Sequence, residues 1–588
     1  MYYLNPSEAI YKGKVAETVD FTTKKQLNDM ALWKKFVNQF RVRLDSNDNG
    51  WRGEYWGKMM RGGCLIYKYS GDEKLYKTLA YAVKDLLTTM DNKGRISSYT
   101  IEKEFCGWDL WCRKYVLSGL QHFYSICKDE ILKEQIITAM EKTADYICEH
   151  IGEGKKDIRT TSNFWNALNS CTILEPFVEL YKMTNKKQYL EFAKYIISSG
   201  GCSCGNMFSC AQKEGTYPSQ YPTTKAYETM SLFEGLLSYY EVTKNEKDLE
   251  IVKKFVEDAF KMERSIIGGL SGRGELFDNF YLNQTEQQAT VVQETCVTVT
   301  WMRLLARLYL NTSDVKYIER IEHSGLNALW GSLNTEWNRP YSSIVKKQVV
   351  PLPFDSYSPL FYDKRGKEVG GFKIMEDGSN YGCCACIGAA GVALLPLLAT
   401  IKEDNGFTIN YYFKGKIKSK TPSGNTVKIK ISSNYPTQGK IKINLQCEKE
   451  EKFVLKLRKP SWAKNATILG ADCVEKNGYY IIEQVWKNQE IILDFNMCLQ
   501  KEVLNNKTAF IYGPIVLALD EGKGNKDIDK DIYLEKDSGV LIKPNKSEIL
   551  RYKARRVGRE DLIFIDYASS GKNFATTNDN ISVWFNIK

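Results

Sequence analysis

The chain has 588 residues, 43% of them hydrophobic and 26% charged, a globular balance that excludes a disordered or fibrous chain. Its length corresponds to about three to five domain equivalents, or to one large domain with appendages. The net charge is +11, nearly all of it after residue 400, with no stripe of arginines interleaved with aromatics, so nucleic acid is not an expected partner.

The opening MYYLNPSEAI has no basic stretch followed by an apolar one, so no secretion signal is expected. A repeat then runs through the first half. Ile66-Tyr67-Lys68-Tyr69-Ser70, Phe123-Tyr124-Ser125-Ile126-Cys127 and Leu180-Tyr181-Lys182-Met183-Thr184 share one pattern. Tyr239-Tyr240-Glu241-Val242-Thr243 and Leu308-Tyr309-Leu310-Asn311-Thr312 continue it. Each string closes a helical period and is followed by a charged turn and an amphipathic segment, which predicts a helical hairpin. Five such units, with flanking helices near 25–43 and 387–401, predict an (α/α)6 toroid whose loops surround a central pocket, with an open solenoid as the alternative.

The uncharged stretch Tyr381–Ile401 contains glycines, three cysteines and Pro396. It reads as a Gly-rich loop followed by a buried helix, not a membrane span. After residue 404 the pattern alternates, as in NTVKIKIS and KFVLKLRKP, which predicts antiparallel strands of a β-sandwich. The expected division is a catalytic barrel at 1–403, a β-sandwich at 404–502, and a second β-rich unit or a continuation of the sandwich at 503–588. The basic group Arg551, Lys553, Arg555, Arg556 and Arg559 reads as a solvated face.

Sixteen cysteines without a secretion signal suggest reduced thiols and a cytoplasmic setting. Only three histidines occur, His122, His150 and His323, which weakens any mechanism built on several imidazoles. The adjacent thiols Cys383 and Cys384, just before a helix, fit a metal site, a redox pair or inert core packing. Glu294 and Cys296 sit at the start of another helix and can turn toward one point. One carboxylate with three thiolates makes a tetrahedral Zn²⁺ set of mostly soft ligands. Alternatively, Glu294 only favours its helix N-terminus electrostatically. Glu275, in Gly272-Arg273-Gly274-Glu275-Leu276-Phe277, can reach a pocket mouth and suits general acid/base work. A surface turn is its plainer reading.

The order Gly-Glu-Leu-Phe, then Glu-Thr-Cys, then Cys-Cys resembles glycoside hydrolase family 127, the β-L-arabinofuranosidase group. Supporting stretches are Gly53-Glu54-Tyr55-Trp56-Gly57-Lys58, Ala226-Tyr227-Glu228-Thr229, Leu457-Arg458-Lys459-Pro460-Ser461-Trp462 and Tyr512-Gly513-Pro514. The resemblance covers nearly the whole chain. It implies an (α/α)6 barrel followed by β-sandwich domains, and one Zn²⁺ bound by Glu294, Cys296, Cys383 and Cys384. It also implies Cys383 as nucleophile and Glu275 as acid/base in a retaining exo-glycosidase. The substrate would be a β-L-arabinofuranoside or related furanoside in small oligosaccharides, with no nucleic-acid or membrane partner and a homodimer left open.

The sequence departs from the family pattern after the cysteine pair, where Ala385-Cys386-Ile387-Gly388 replaces Pro-Pro-Asn. Tyr115 and Tyr227 stand in the regions of its pocket histidines. Trp108, Asp109, Trp111, Lys114, Tyr115 and Tyr227 are the candidate sugar-facing residues: the Trp rings would cover sugar faces, Asp109 would bind hydroxyls, and Lys114 or Arg113 would hold a carboxylate-bearing sugar such as aceric acid, with helix packing and a surface cation as the plainer reading of 108–115. A redox or non-catalytic thiol protein on the same scaffold is the alternative from another class. A toroid epimerase or lyase is a third, and the scarcity of histidine argues against the epimerase.

Overall fold

The structure is a computed structural model that describes residues 1–47, 50–286, 292–335, 352–360, 371–523, 532, 534, 539–572 and 580–586. The helices used below are α1 (Lys14–Thr22), α2 (Met30–Val42), α3 (Glu54–Ser70), α4 (Glu73–Leu87), α5 (Asp109–Tyr124), α6 (Glu130–His150) and α7 (Leu174–Thr184). They continue with α8 (Lys187–Ser198), α9 (Ala226–Thr243), α10 (Glu246–Glu263), α11 (Thr295–Thr312), α12 (Val315–Ser324) and α13 (Cys383–Ala399).

Composition sorts these helices into two layers. In α4 the buried positions Leu75, Leu79, Ala82, Val83 and Leu86 recur every three or four residues, the one-sided stripe of an outer helix. In α13 every residue is buried, as a helix that is apolar all round requires. The inner helices α3, α5, α7, α9, α11 and α13 each pack on the next, and α13 returns to α3. The ring is therefore a closed (α/α)6 toroid, which rules out the open solenoid.

The tyrosine repeat has a backbone cause. The carbonyls of Tyr67, Tyr181, Tyr240 and Tyr309 each accept, at 2.8 Å, the N–H of the residue four positions on. Those residues, Gly71, Asn185, Lys244 and Ser313, are left-handed, the geometry that ends a helix and reverses the chain. Asp72, Asn245 and Asp314 follow at once and cap the next outer helix with their side chains, satisfying its free N–H groups. Tyr124 precedes a right-handed cap instead.

After α13 the chain enters a 10-stranded sheet. Its long central strand, Lys440–Arg458, pairs with Thr426–Ser433 and, across a bulge between Gln446 and Glu451, with Tyr479–Asp494. Alternate burial along Gly415–Lys420 and Thr426–Ser433 is the two-sided pattern expected of such strands. Two features differ from the sequence reading. The pair Gly406–Ile409 with Val454–Leu457 is parallel, because the chain crosses over before returning to the sheet. The sheet also recruits Tyr2–Tyr3 and Ala9–Tyr11 from the other end of the chain, against Thr400–Glu403 and Gly415–Lys420. An 8-stranded sheet follows, from Leu499 onward.

The predicted loop before the last inner helix is also corrected. Asn380–Gly382 is a short strand, and α13 begins at Cys383 itself, so the cysteines occupy its first turn. Among the described residues no helix is long and apolar enough to cross a membrane.

Barrel and sheet are joined by a buried ion pair. Arg458 Nη2 donates to Glu322 Oε1 at 2.6 Å, and Tyr435 Oη donates to the same oxygen. Glu322→Ala strands the buried Arg458 guanidinium, so a loss of about 3–5 kcal/mol is expected. A lowered midpoint of denaturant unfolding checks this.

Candidate active site and metal centre

Three helix N-termini deliver the site. Glu294 is the N-cap of α11 and Cys296 lies in its first turn. Cys383 and Cys384 open α13, and Glu54 opens α3. Helix N-termini favour anions and lower thiol pKa values. The ligand atoms of Glu294, Cys296, Cys383 and Cys384 all lie within 4.8 Å of one another. The sulfurs are 3.3 Å (Cys384–Cys296), 3.6 Å (Cys296–Cys383) and 3.9 Å (Cys383–Cys384) apart, and Glu294 Oε1 is 3.6 Å from Cys384 Sγ.

The set fits a tetrahedral soft metal. With metal–sulfur bonds of about 2.3 Å, a tetrahedron has edges of about 3.8 Å, close to the observed spacings. The buried Glu294 Oε2 has no hydrogen-bond partner. Burial pushes the Cys296 and Cys384 thiols and the Glu294 carboxyl far up, so four anions share this pocket only around a cation. Cys383 is instead held well down, first by hydrogen bonds from Cys296 and Cys384, then by the Lys58 and Lys225 ammoniums. It is 8% exposed, against 0–3% for the other three, which makes it the least buried residue of the set.

Gly371 fixes Cys383 in place. Its carbonyl accepts from Trp51 Nε1 (3.0 Å), Tyr55 Oη (2.9 Å) and the Cys383 N–H (3.1 Å). Gly371 has φ +61°, and a Cβ there would stand 2.1 Å from Cys383 Sγ, so only glycine fits this approach.

A second cluster surrounds Glu275, which is left-handed at φ 67° in a turn held by a bridge between Lys225 and Leu276. Tyr357 Oη donates to Glu275 Oε1 at 2.5 Å, and Lys225 Nζ pairs with Oε2. Tyr357 lies directly opposite Glu294 in the two-strand ladder Val292–Glu294 with Tyr357–Pro359. One ladder thus ties the candidate metal-ligand carboxylate to the tyrosine that holds Glu275. Burial pulls Lys225 down, but Glu275, Glu228 and Glu294 outweigh it and hold the ammonium above its usual range.

The proposed sugar-facing residues divide. Trp111, Tyr115 and Tyr227 gather around the buried Lys58 ammonium, which is 5.6, 5.2 and 4.4 Å from their ring centroids and favourably placed for cation–π attraction. Lys58 also pairs with Glu54 at 3.0 Å and lies 3.9 Å from Cys296 Sγ. Burial lifts Glu54 to about 7 despite that pairing. Tyr115 and Tyr227 share a hydrogen bond through their hydroxyls. Trp108 packs edge-on against Trp51 and Trp111.

Asp109 is fully buried, and its oxygens are engaged by Ser97 Oγ, the Phe105 N–H and Arg113. That leaves it a structural anchor with no exposed hydroxyl-binding face. Lys114 is likewise fully buried, and burial pulls its ammonium down to about 7 against the opposing Glu175 and Glu234 carboxylates. Arg113 is locked to Asp109 and Glu104. Both cations are buried and face carboxylates, Arg113 in hydrogen-bonded pairs and Lys114 at longer range.

Sequence reasoning missed Lys58, Glu54, Lys225 and Tyr357. The signal for the first two was an i,i+4 Glu–Lys pair at the start of a helix that is buried from Glu54 to Tyr67. Cys386 is buried and, among the described residues, is not one of the converging four.

A family model described as "Beta-L-arabinofuranosidase, GH127 catalytic domain" matches residues 12–339, and one described as "Beta-L-arabinofuranosidase, GH127 middle domain" matches residues 406–497. Two solved structures align along nearly the whole chain. One is a GH127 β-L-arabinofuranosidase from Geobacillus stearothermophilus T6, at 18% identity and TM-score 0.74, covering 99% of this chain and 100% of that one. The other is a GH127 β-arabinofuranosidase, at 16% identity and TM-score 0.75, covering 100% and 98%. No curated protein matches the chain.

Proposed function

Because the chain belongs to glycoside hydrolase family 127, the β-L-arabinofuranosidase family, we propose that it is a retaining exo-glycosidase acting on β-L-arabinofuranosides or a related furanoside in small oligosaccharides. The convergence of one carboxylate and three thiols beside Glu275 carries this reading. Glu294, Cys296, Cys383 and Cys384 would hold Zn²⁺, which when bound keeps its thiol ligands deprotonated and damps their basicity.

Cys383 Sγ attacks the anomeric carbon as the bond to the leaving oxygen breaks, and Glu275 gives that oxygen its proton. Glu275, now a carboxylate, takes a proton from water. The water oxygen forms the new bond to the anomeric carbon, and the carbon–sulfur bond breaks. Two inversions give net retention. Tyr357 and Lys225 hold the two oxygens of Glu275, so they set its aim. Trp111, Tyr115 and Tyr227 enclose Lys58, which stands beside Cys296 and pairs with Glu54, so they hold a positive charge next to the thiols. The sixteen cysteines, none of them in a disulfide among the described residues, suit a reducing cytoplasm.

Metal analysis of anaerobically purified protein tests the centre. About one zinc per chain is expected in the wild type, and Cys384→Ala is expected to lose it, since removing a ligand costs structural metal sites most of their affinity. Zinc-free wild type with freely titratable Cys383 and Cys384 would remove the chemical basis of this reading.

A further inference from the structure

A groove of about 780 Å³ lies on the solvent-facing side of the 10-stranded sheet, away from the thiol cluster. Its chemistry follows from strand register. Lys418 stands directly opposite Lys428, and Lys416 opposite Lys430. On the next strand Lys428 faces Gln446 and Lys430 faces Asn444. On the fourth, Gln446 faces Asn488 and Asn444 faces Glu490. Two side-chain rows therefore cross four strands, cationic at one end and amide-bearing at the other, with steps of about 4.8 Å between strands.

Like charges placed directly opposite each other destabilise a sheet, yet here two such pairs adjoin. All four lysines are exposed, and among the described residues none is ion-paired. Glu490, the carboxylate in the groove, is already occupied by Lys442 at 2.7 Å and by Asn444 Nδ2 at 2.8 Å. Guarding an open sheet edge is a common use of lysine. It does not apply here, because Ala9–Tyr11 covers the strand carrying Lys416. A face built only for solubility intersperses both signs.

We propose that this face binds a glycan chain bearing carboxylates, with uronate groups on the lysine square and sugar hydroxyls on the Asn444, Gln446 and Asn488 amides. Successive sugar residues span a distance comparable to the strand spacing. Two features favour a glycan over a nucleic acid: no aromatic ring lines the groove for base stacking, and the chain belongs to a carbohydrate-active family. The site is independent of the catalytic thiols.

Titration of the full chain with oligogalacturonate, with its fully methyl-esterified counterpart and with duplex DNA tests the proposal. Binding of oligogalacturonate that weakens steeply with added salt is expected. The quadruple variant Lys416→Gln, Lys418→Gln, Lys428→Gln, Lys430→Gln is expected to bind about tenfold or more weakly while melting no lower than wild type, since removing opposed charges relieves the sheet. The corresponding four-arginine variant keeps the charge and is expected to keep binding. Failure of the wild type to bind, equal binding of the methyl ester, unchanged binding by the glutamine variant or tighter binding of DNA would each overturn the proposal.

Discussion

Cys383→Ser is expected to lower kcat by at least about 10⁴-fold, the scale seen when an enzyme loses the nucleophile of a covalent mechanism. A serine hydroxyl at this position is a far weaker nucleophile than a thiolate and a poorer ligand for a soft metal. The neighbours do not compensate, because Cys384 and Cys296 are almost fully buried and cannot take over the attack. The check is hydrolysis of an aryl β-L-arabinofuranoside with zinc measured on the same preparation. A variant that keeps zinc but loses turnover isolates the nucleophile. Full activity with serine would sink the assignment.

Glu275→Gln is expected to slow hydrolysis of glycosides with poor leaving groups by about 10²–10⁴-fold, the usual contribution of a positioned acid/base. With a nitrophenyl leaving group the first step needs no proton and should stay fast. The second step still needs a base for water, so the glycosylated Cys383 should accumulate. Burst kinetics and a mass shift on the Cys383 peptide read this out. Equal rate losses across leaving groups, with no trapped adduct, would argue instead for a purely structural Glu275, held by Lys225 and Tyr357.

The barrel was legible because one backbone event recurs. A tyrosine carbonyl that closes an inner helix comes four residues before a left-handed cap and just ahead of an Asp or Asn that starts the outer helix. That event leaves a local signature, so it survives in a single sequence. The four candidate ligands were legible for a similar reason, since Glu294-Thr295-Cys296 and Cys383-Cys384 each begin a helix.

What surrounds them was not. Lys58 meets Cys296 and Tyr357 meets Glu275 only through ring closure and a strand pairing between distant segments, and neither leaves a trace in residue spacing. For Asp109 and Lys114 the sequence did not choose between sugar contact and helix packing, because a polar residue inside an inner helix looks the same whether it faces a ligand or a buried partner. The parallel strand pair was missed because alternation reports which face is buried, not which way the chain runs.

The strands Tyr2–Tyr3 and Ala9–Tyr11 find their partners only at Ile401, Lys402 and Gly415–Ile417, on the far side of the entire ring in sequence. During synthesis the helical hairpins can assemble from local contacts, but these two strands must wait until the sheet that receives them has been made. Pairings of such long sequence separation form late and slowly. Until then Tyr2, Tyr3 and Ile10 belong to exposed, unpaired strand, the kind of segment that seeks the wrong neighbour in a crowded cell. This fold therefore carries a kinetic hazard for as long as the ring is being made, and the hazard ends only when the strands directly after the last inner helix take up Tyr2–Tyr3 and Ala9–Tyr11.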